Sequence, residues 1–309
     1  MQIFSKANFN FIGNRNKAFV FSGILLLASI ISLAVKGLNM SIDFVGGTVV
    51  QLKFDKPITD ELAKIRGIVS ELDFGKPEVK KIGRPDDNEI MITVKEKKSE
   101  GTYVSDRIKE ALKQHYSQNP FQLRRQEKIG PKIGAELQKN AFLAVIFSLL
   151  AIVIYIGIRF HFPFGIASIV ALFHDVIITL GAFSMLDVVI DIEFSIPIIA
   201  AILTIVGYSL NDTIVVFDRI RENLGGSVVK KSFEDKVNSS INQCLSRTII
   251  TSVTTFIVVV ALFGAFANSG VVIRDFSLAL IIGIIFGTYS SIFIASPTLV
   301  LWNKKWPIK

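Results

Sequence analysis

Hydrophobic residues fall into six long runs, at about 18–38, 140–158, 164–186, 194–217, 248–267 and 276–302. Each is near the 20 residues needed to cross a hydrocarbon core of ~30 Å. One long polar region, about 39–137, separates the first run from the second. Its pattern changes along its length. TVVQLKF (48–54) alternates as a strand, and ITDELAKIRGIVSEL (58–72) repeats apolar residues at helical spacing with Thr59 as its cap. EVKKIG (78–83) and EIMITV (89–94) read as strands joined by a turn at Arg84–Asn88. TYVSDRIKEALKQHY (102–116) is a second amphipathic helix, and FQLRRQEKI (121–129) a final strand. The order β-α-β-β-α-β is that of a split-βαβ, ferredoxin-like α+β domain. The fold class is therefore a polytopic α-helical membrane protein with one such domain between helices 1 and 2.

The segmentation is a short N-terminus (1–17), a first span (18–38), the α+β domain with its exit (39–137), a five-helix bundle (138–305) and a short tail (306–309). In IGPKIGAEL, Gly130, Pro131 and Gly134 predict a bent hinge along the membrane surface before the second span, with a plain linker as the alternative. In SIDFVGG, Gly46 and Gly47 permit a tight turn or a close backbone approach. Ala279, Gly283, Gly287 and Ser291, at four-residue steps, form a stripe for close helix packing.

Half of the 309 residues are hydrophobic and the formal net charge is +8. Nucleic acid is an unsuitable partner, because the basic residues gather where alternate loops meet the membrane. Arg15, Lys17, Arg159, Arg219, Arg221, Lys230, Lys231, Lys236, Lys304 and Lys305 are on one side; Asp187, Asp191 and Glu193 are on the other. That asymmetry predicts cytoplasmic termini and an external α+β domain. The first run lacks a cleavage signature and reads as a retained span. A single cysteine, Cys244, excludes an internal disulfide or a multi-cysteine metal site and reads as a small packing residue. His115 reads as a solvated surface residue, so the α+β domain shows no catalytic cluster and no cofactor site.

Chemistry concentrates inside the spans. ILTIVGYSLNDTIVVFDRIREN (202–223) carries Asp212 within an apolar run, ~9–10 Å by helical rise from the charged end that starts at Asp218. A carboxylate there costs ~2.5–3.5 kcal/mol by insertion scales. It shares a face with Thr204, Tyr208, Asn211, Val215 and Arg219, and Thr213 follows it directly. In the fifth run Arg247, Thr251, Thr254 and Thr255 follow an i, i+4, i+7, i+8 spacing, one polar stripe. Consecutive spans are antiparallel, so Arg247 is placed to reach Asp212 and the threonines to extend a polar track. Desolvation and an adjacent arginine act oppositely on a carboxylate, which is what a proton carrier requires. A buried structural ion pair is the alternative, although such pairs contribute little net stability. His174 and Asp175, near the middle of the third span, are open to two readings: a helix-linking pair or a relay element. Asp218, Arg219, Arg221 and Glu222 read as a solvated helix end.

The stretches SIDFVGG (41–47), IGPKIGAEL (129–137), ALFHDV (171–176), IVGYSLNDTIVVFDRIREN (205–223), LSRTIITSVTTF (245–256) and GTYSSIFIASP (287–297) occur in that order. Together they resemble the signatures of the SecF branch of the SecD/SecF protein-export family, in the resistance-nodulation-division superfamily. The resemblance covers about residues 40–305. Ser41 departs from it, since a glycine commonly precedes IDF there. It implies six spans, a periplasmic domain after the first, and an inner-membrane location. It implies a SecD partner, and association with the SecYEG channel together with YajC and YidC. Such a complex would use the proton-motive force to move unfolded polypeptides outward after SecA-driven translocation. By motif, Asp212 would carry the proton and Arg247 would be its partner. The alternatives are a non-transporting assembly subunit, half of a small-molecule proton antiporter, or an intramembrane aspartyl protease, whose motif contexts these aspartates lack.

Overall fold

A computed structural model describes residues 8–58, 61–75, 77–83, 87–95, 104–190, 192–225, 231–267 and 271–308. The cap at Thr59, the turn at 84–86 and the loop charges of Asp191 and Lys230 lie outside the described residues. The chain forms α1 (Arg15–Val35), a short α2 (Ile42–Val45), and then β1 (Gly47–Phe54), α3 (Leu62–Ser70), β2 (Pro77–Ile82), β3 (Glu89–Val94), α4 (Val104–His115) and β4 (Phe121–Ile129). The helices α5 (Pro131–Arg159), α6 (Phe162–Ile190), α7 (Ile196–Gly225), α8 (Phe233–Phe266), α9 (Val271–Ser290) and α10 (Ser296–Lys305) complete it.

Among the described residues, six helical segments are long and apolar enough to cross a membrane. About half of α6, α7 and the α9–α10 pair is buried, whereas α1, α5 and α8 present most of their surface outward. The packing stripe explains part of this arrangement. A Cβ on Gly283 would fall inside the Ile205 side chain of α7, and one on Gly287 would lie 3.1 Å from Ser209 Cβ. The Ile205 side chain therefore seats directly on the α9 backbone at Gly283, and the helices come close at Gly287, as small residues in membranes allow. Between α9 and α10 the chain widens into a π-helical turn, Ser291–Ala295. Pro297 accounts for it, since it has no N–H to donate and its ring crowds the carbonyl four residues earlier.

The described residues of the polar region form a four-stranded sheet in the order β2-β3-β1-β4, with every neighbouring pair antiparallel. Its core joins Val50, Leu52, Ile90 and Ile92 of the sheet to Ile65, Ile68, Ile108 and Leu112 of α3 and α4. Alternation at period two sends those strand residues to one face. That is the arrangement the β-α-β-β-α-β reading requires.

The exit from this domain differs from expectation. No hinge bends the chain at Gly130, Pro131 and Gly134; Pro131 opens α5, which continues unbroken to Arg159. Proline at a first helical turn has its fixed φ in place and lacks only an N–H that would be unpaired there anyway. Gly134 serves packing instead, because a Cβ there would lie 2.9 Å from the Phe44 carbonyl oxygen. Gly46, at φ +79, and Gly47, at φ +155, turn the chain from α2 into β1 against the start of α5. The four-residue α2, capped by Ser41 Oγ accepting from the Asp43 N–H at 3.2 Å, was not foreseen in the alternation.

A charged cluster fastens the sheet to the bundle. Lys80 on β2 bridges Glu193 of the α6–α7 loop at 3.0 Å and Glu78 at 3.4 Å. Lys95 donates to Glu78 at 3.1 Å and to Asn39 Oδ1 at 2.7 Å. Burial alone would raise the Glu78 pKa, but the hydrogen bond with Glu193 and the charges of Lys95 and Lys80 hold it down at about 2. Burial pushes Glu193 the other way, with Lys80 opposing and Glu78 adding to the rise. The Glu78 contribution is thus complete above its ordinary 4.5 and lost as pH falls through about 2. That of Glu193 is complete below 4.5 and fades as pH rises through its elevated value. Glu78→Gln should lower the melting temperature of the detergent-purified protein by a few degrees at neutral pH. Near pH 2 it should melt with the wild type, whose own carboxyl is then close to half protonated; a difference that persists undiminished in acid would contradict this assignment.

Candidate functional site

Asp212 sits on α7, 3% exposed, with its surroundings supplied by α8 and α9. Its one side-chain hydrogen bond among the described residues comes from Ser252 Oγ at 3.5 Å, a long contact. The Ser252 hydroxyl also lies 2.8 Å from the Thr248 carbonyl of its own helix, with which Asp212 competes for its one proton, and 2.7 Å from Thr288 Oγ1. Two further buried hydroxyls in this region, Tyr208 Oη on α7 and Thr248 Oγ1 on α8, have no hydrogen-bond partner among the described residues. Buried polar atoms are rarely left without a partner, so these two hydroxyls are free to pair with Asp212 or with water. The carboxyl is therefore loosely held. It is not locked into a structural pair.

Arg247 lies near enough to act on Asp212 through space, but it forms no salt bridge with it among the described residues. Arg247 is exposed and lines an open cleft of about 300 Å³. Val215, one turn from Asp212, lines that cleft together with Cys244, Arg219 and Glu222. The expected polar track does not form around Asp212. Thr251, Thr254 and Thr255 turn their hydroxyls back onto carbonyls of their own helix at 2.8–3.0 Å, and Thr251 and Thr254 face outward. Asn211 and Thr204 are likewise exposed, while Thr213 is buried. Thr204 and Asn211 of α7 and Arg247, Thr251 and Thr254 of α8 are thus exposed polar residues on two long, largely apolar helices.

Ser252, which does reach Asp212, and Thr288 behind it escaped a reading that followed polarity alone. A signal existed. Ser240, Cys244, Thr248 and Ser252 recur at four-residue steps and are all buried. This is the same small-residue spacing as the stripe on α9, so it marks the face of α8 turned toward its neighbours.

His174 and Asp175 form a second, separate constellation on α6. Asp175 is fully buried and accepts from Ser209 Oγ of α7 at 2.6 Å and Ser290 Oγ of α9 at 2.7 Å. His174 Nδ1 lies 2.9 Å from its other oxygen, and Nε2 is 3.1 Å from Ser22 Oγ of α1. Ser22 pairs with Tyr289 at 3.1 Å, and Tyr289 donates to the Ala18 carbonyl at 3.1 Å. At the charged helix ends Arg159 and Arg221 bridge Asp218 at 3.0 and 3.6 Å, and Arg219 bridges Glu222 at 2.7 Å. These are exposed pairs that contribute little, ~0–1 kcal/mol each.

Comparison with known proteins agrees with this architecture. Residues 105–305 match the family model described as protein export membrane protein SecD/SecF, C-terminal, and residues 31–58 match the SecD/SecF GG motif. The protein translocase subunit SecF of Rhodothermus marinus is 45% identical over 305 residues, covering 97% of this chain and 95% of its own length. That of Thermodesulfovibrio yellowstonii is 42% identical over 315 residues, covering 100% of this chain and 99% of its own. Among solved structures, the crystal structure of SecDF, a translocon-associated membrane protein from Thermus thermophilus, superposes with a TM-score of 0.83 at 37% identity. That match covers 98% of this chain but only 40% of the SecDF chain. A SecDF structure in a super-membrane-facing form superposes with a TM-score of 0.70. The chain belongs to the SecD/SecF family of protein-export membrane proteins, on its SecF side.

Proposed function

We propose that this protein is the SecF half of a SecDF-type unit that draws on the proton-motive force in the late steps of protein export. The observation carrying this reading is a buried, loosely held Asp212 near exposed polar residues that include Arg247. A lipid-facing arginine and asparagine would be costly, so a second protein should cover them. The larger SecDF chain supports a SecD-type half as that protein. On this reading the termini are cytoplasmic, the ferredoxin-like domain faces the periplasm, and the SecYEG channel with YajC and YidC is the setting. The substrate is an unfolded polypeptide. Asp212 takes a proton when Arg247 is remote and releases it when the guanidinium approaches, because a nearby cation favours the carboxylate. Proton movement and rearrangement of the α7–α8 face are thereby linked. One charge crossing 100 mV supplies ~2.3 kcal/mol.

The test is proton-gradient-stimulated export of a secretory protein into vesicles holding the assembled complex, with and without the Asp212 carboxyl. Unchanged stimulation at equal abundance would reject the proton role and leave an assembly subunit.

A further inference from the structure

We propose that Asp175 is a positioning residue for the Asp212 site, setting the rotation of α9 about its own axis. The inference rests on the proton-carrying role given to Asp212. Asp175 is buried as Asp212 is, but its oxygens are held far more closely. It is 0% exposed, and each of its oxygens already receives a hydrogen bond from a side chain of the same protein. Ser209 and Ser290, its donors from α7 and α9, are themselves 0% exposed. A carboxyl so enclosed has no partner to exchange.

What it does have is a mechanical link to the other site. The two constellations share helices α7 and α9. On α7, Ser209 bonds Asp175, and Asp212 is three residues further on, nearly one turn. On α9, Ser290 bonds Asp175 and Thr288 bonds Ser252, whose hydroxyl lies 3.5 Å from the Asp212 carboxyl. Residues two apart on a helix point ~200° from one another. α9 is therefore held between two hydrogen-bonded anchors on opposite sides. Rotation that releases Ser290 from Asp175 must also carry Thr288 relative to Ser252. The π-helical turn begins at Ser291, directly after Ser290, so the anchor sits where the helix ladder is already widened. His174 completes the anchor by tying Asp175 to Ser22 of α1.

The experiment uses the complex assembled with its SecD-type partner. Infrared difference spectroscopy follows the titration of the Asp212 carboxyl, whose band is the one lost in Asp212→Asn. Asp175→Ala should move that midpoint by ~0.5 pH unit or more and reduce proton-stimulated export. Asp175→Asn should retain both, since its amide oxygen accepts both serine hydroxyls and its NH2 faces Nδ1 once the imidazole adopts its other tautomer. If Asp175→Ala does not accumulate, Ser290→Ala serves in its place, with a smaller shift in the same direction. The proposal is overturned if neither variant moves the midpoint. It is overturned equally if Asp175→Asn abolishes export while Asp212 titrates normally, for Asp175 would then be a carrier. Undiminished export in Asp212→Asn would remove the proton role of Asp212, yet the infrared shift would still decide whether Asp175 positions it.

Discussion

Asp212→Asn is expected to reduce export to the level supported by ATP alone, with the gradient-dependent part lost and the complex present in normal amount. Asparagine has nearly the shape of aspartate, and its amide oxygen can accept from Ser252 as the carboxyl does at 3.5 Å. The hydroxyl chain from Ser252 to Thr288 need not change. Only the capacity to bind and release a proton disappears. Truncation to alanine would confuse the result, because it leaves a cavity whose cost in a core is of order 2–5 kcal/mol for larger side chains. Asp212→Glu gives a graded control. Its carboxyl titrates but reaches one methylene further, so partial stimulation is expected. Export in vesicles at fixed SecA and ATP, with the gradient imposed or collapsed, separates the two contributions.

Gly283→Leu is expected to have the largest effect on the fold itself: little or no assembled complex. The position of a Cβ on Gly283 is already occupied by Ile205 of α7. A leucine must push α9 away from α7 or force Ile205 out of its rotamer. Overpacking of this kind costs ~1–3 kcal/mol where a core can adjust. Here it also separates Ser290 from Asp175 and Thr288 from Ser252, leaving buried hydroxyls and a buried carboxyl without partners. Unpaired buried groups cost a further ~1–3 kcal/mol each. Gly264→Leu on α8 is the matched control, since nothing lies within 4 Å of a Cβ there. Membrane accumulation of the two variants, read by immunoblot against a common loading standard, should differ sharply. Equal accumulation would mean that α7 and α9 are not in close contact in the membrane.

Much of this protein could be read from residue order. Apolar runs near 20 residues long define six spans, because hydrocarbon tolerates no unpaired backbone and a helix satisfies its own. Period-two and helical patterns place the four strands and two helices of the polar region to within a few residues, since half-buried strands and amphipathic helices must alternate in those ways. The four-residue stripe on α9 marks its packing face for the same geometric reason. Asp212, Arg247 and Asp175 stand out because ionisable groups in apolar runs are expensive.

Tertiary structure decided the rest. Periodicity says which residues share a face, not which neighbour that face meets. The threonine stripe below Arg247 has the same helical spacing as the stripe through Ser252, yet the first points outward and the second reaches Asp212. Only the rotation of α8, set by small residues admitting α7 and α9, distinguishes them. Pro131 could end a segment or begin a helix, and the contact of Gly134 with the turn at Phe44 and Gly46 fits the second. Likewise, nothing in the local sequence of Asp175 tells that Ser209 and Ser290, 34 and 115 residues away, close around it. Hydrogen bonds between distant helices depend on where each helix sits and how it is turned. Those are properties of the packed bundle, and no single segment carries them.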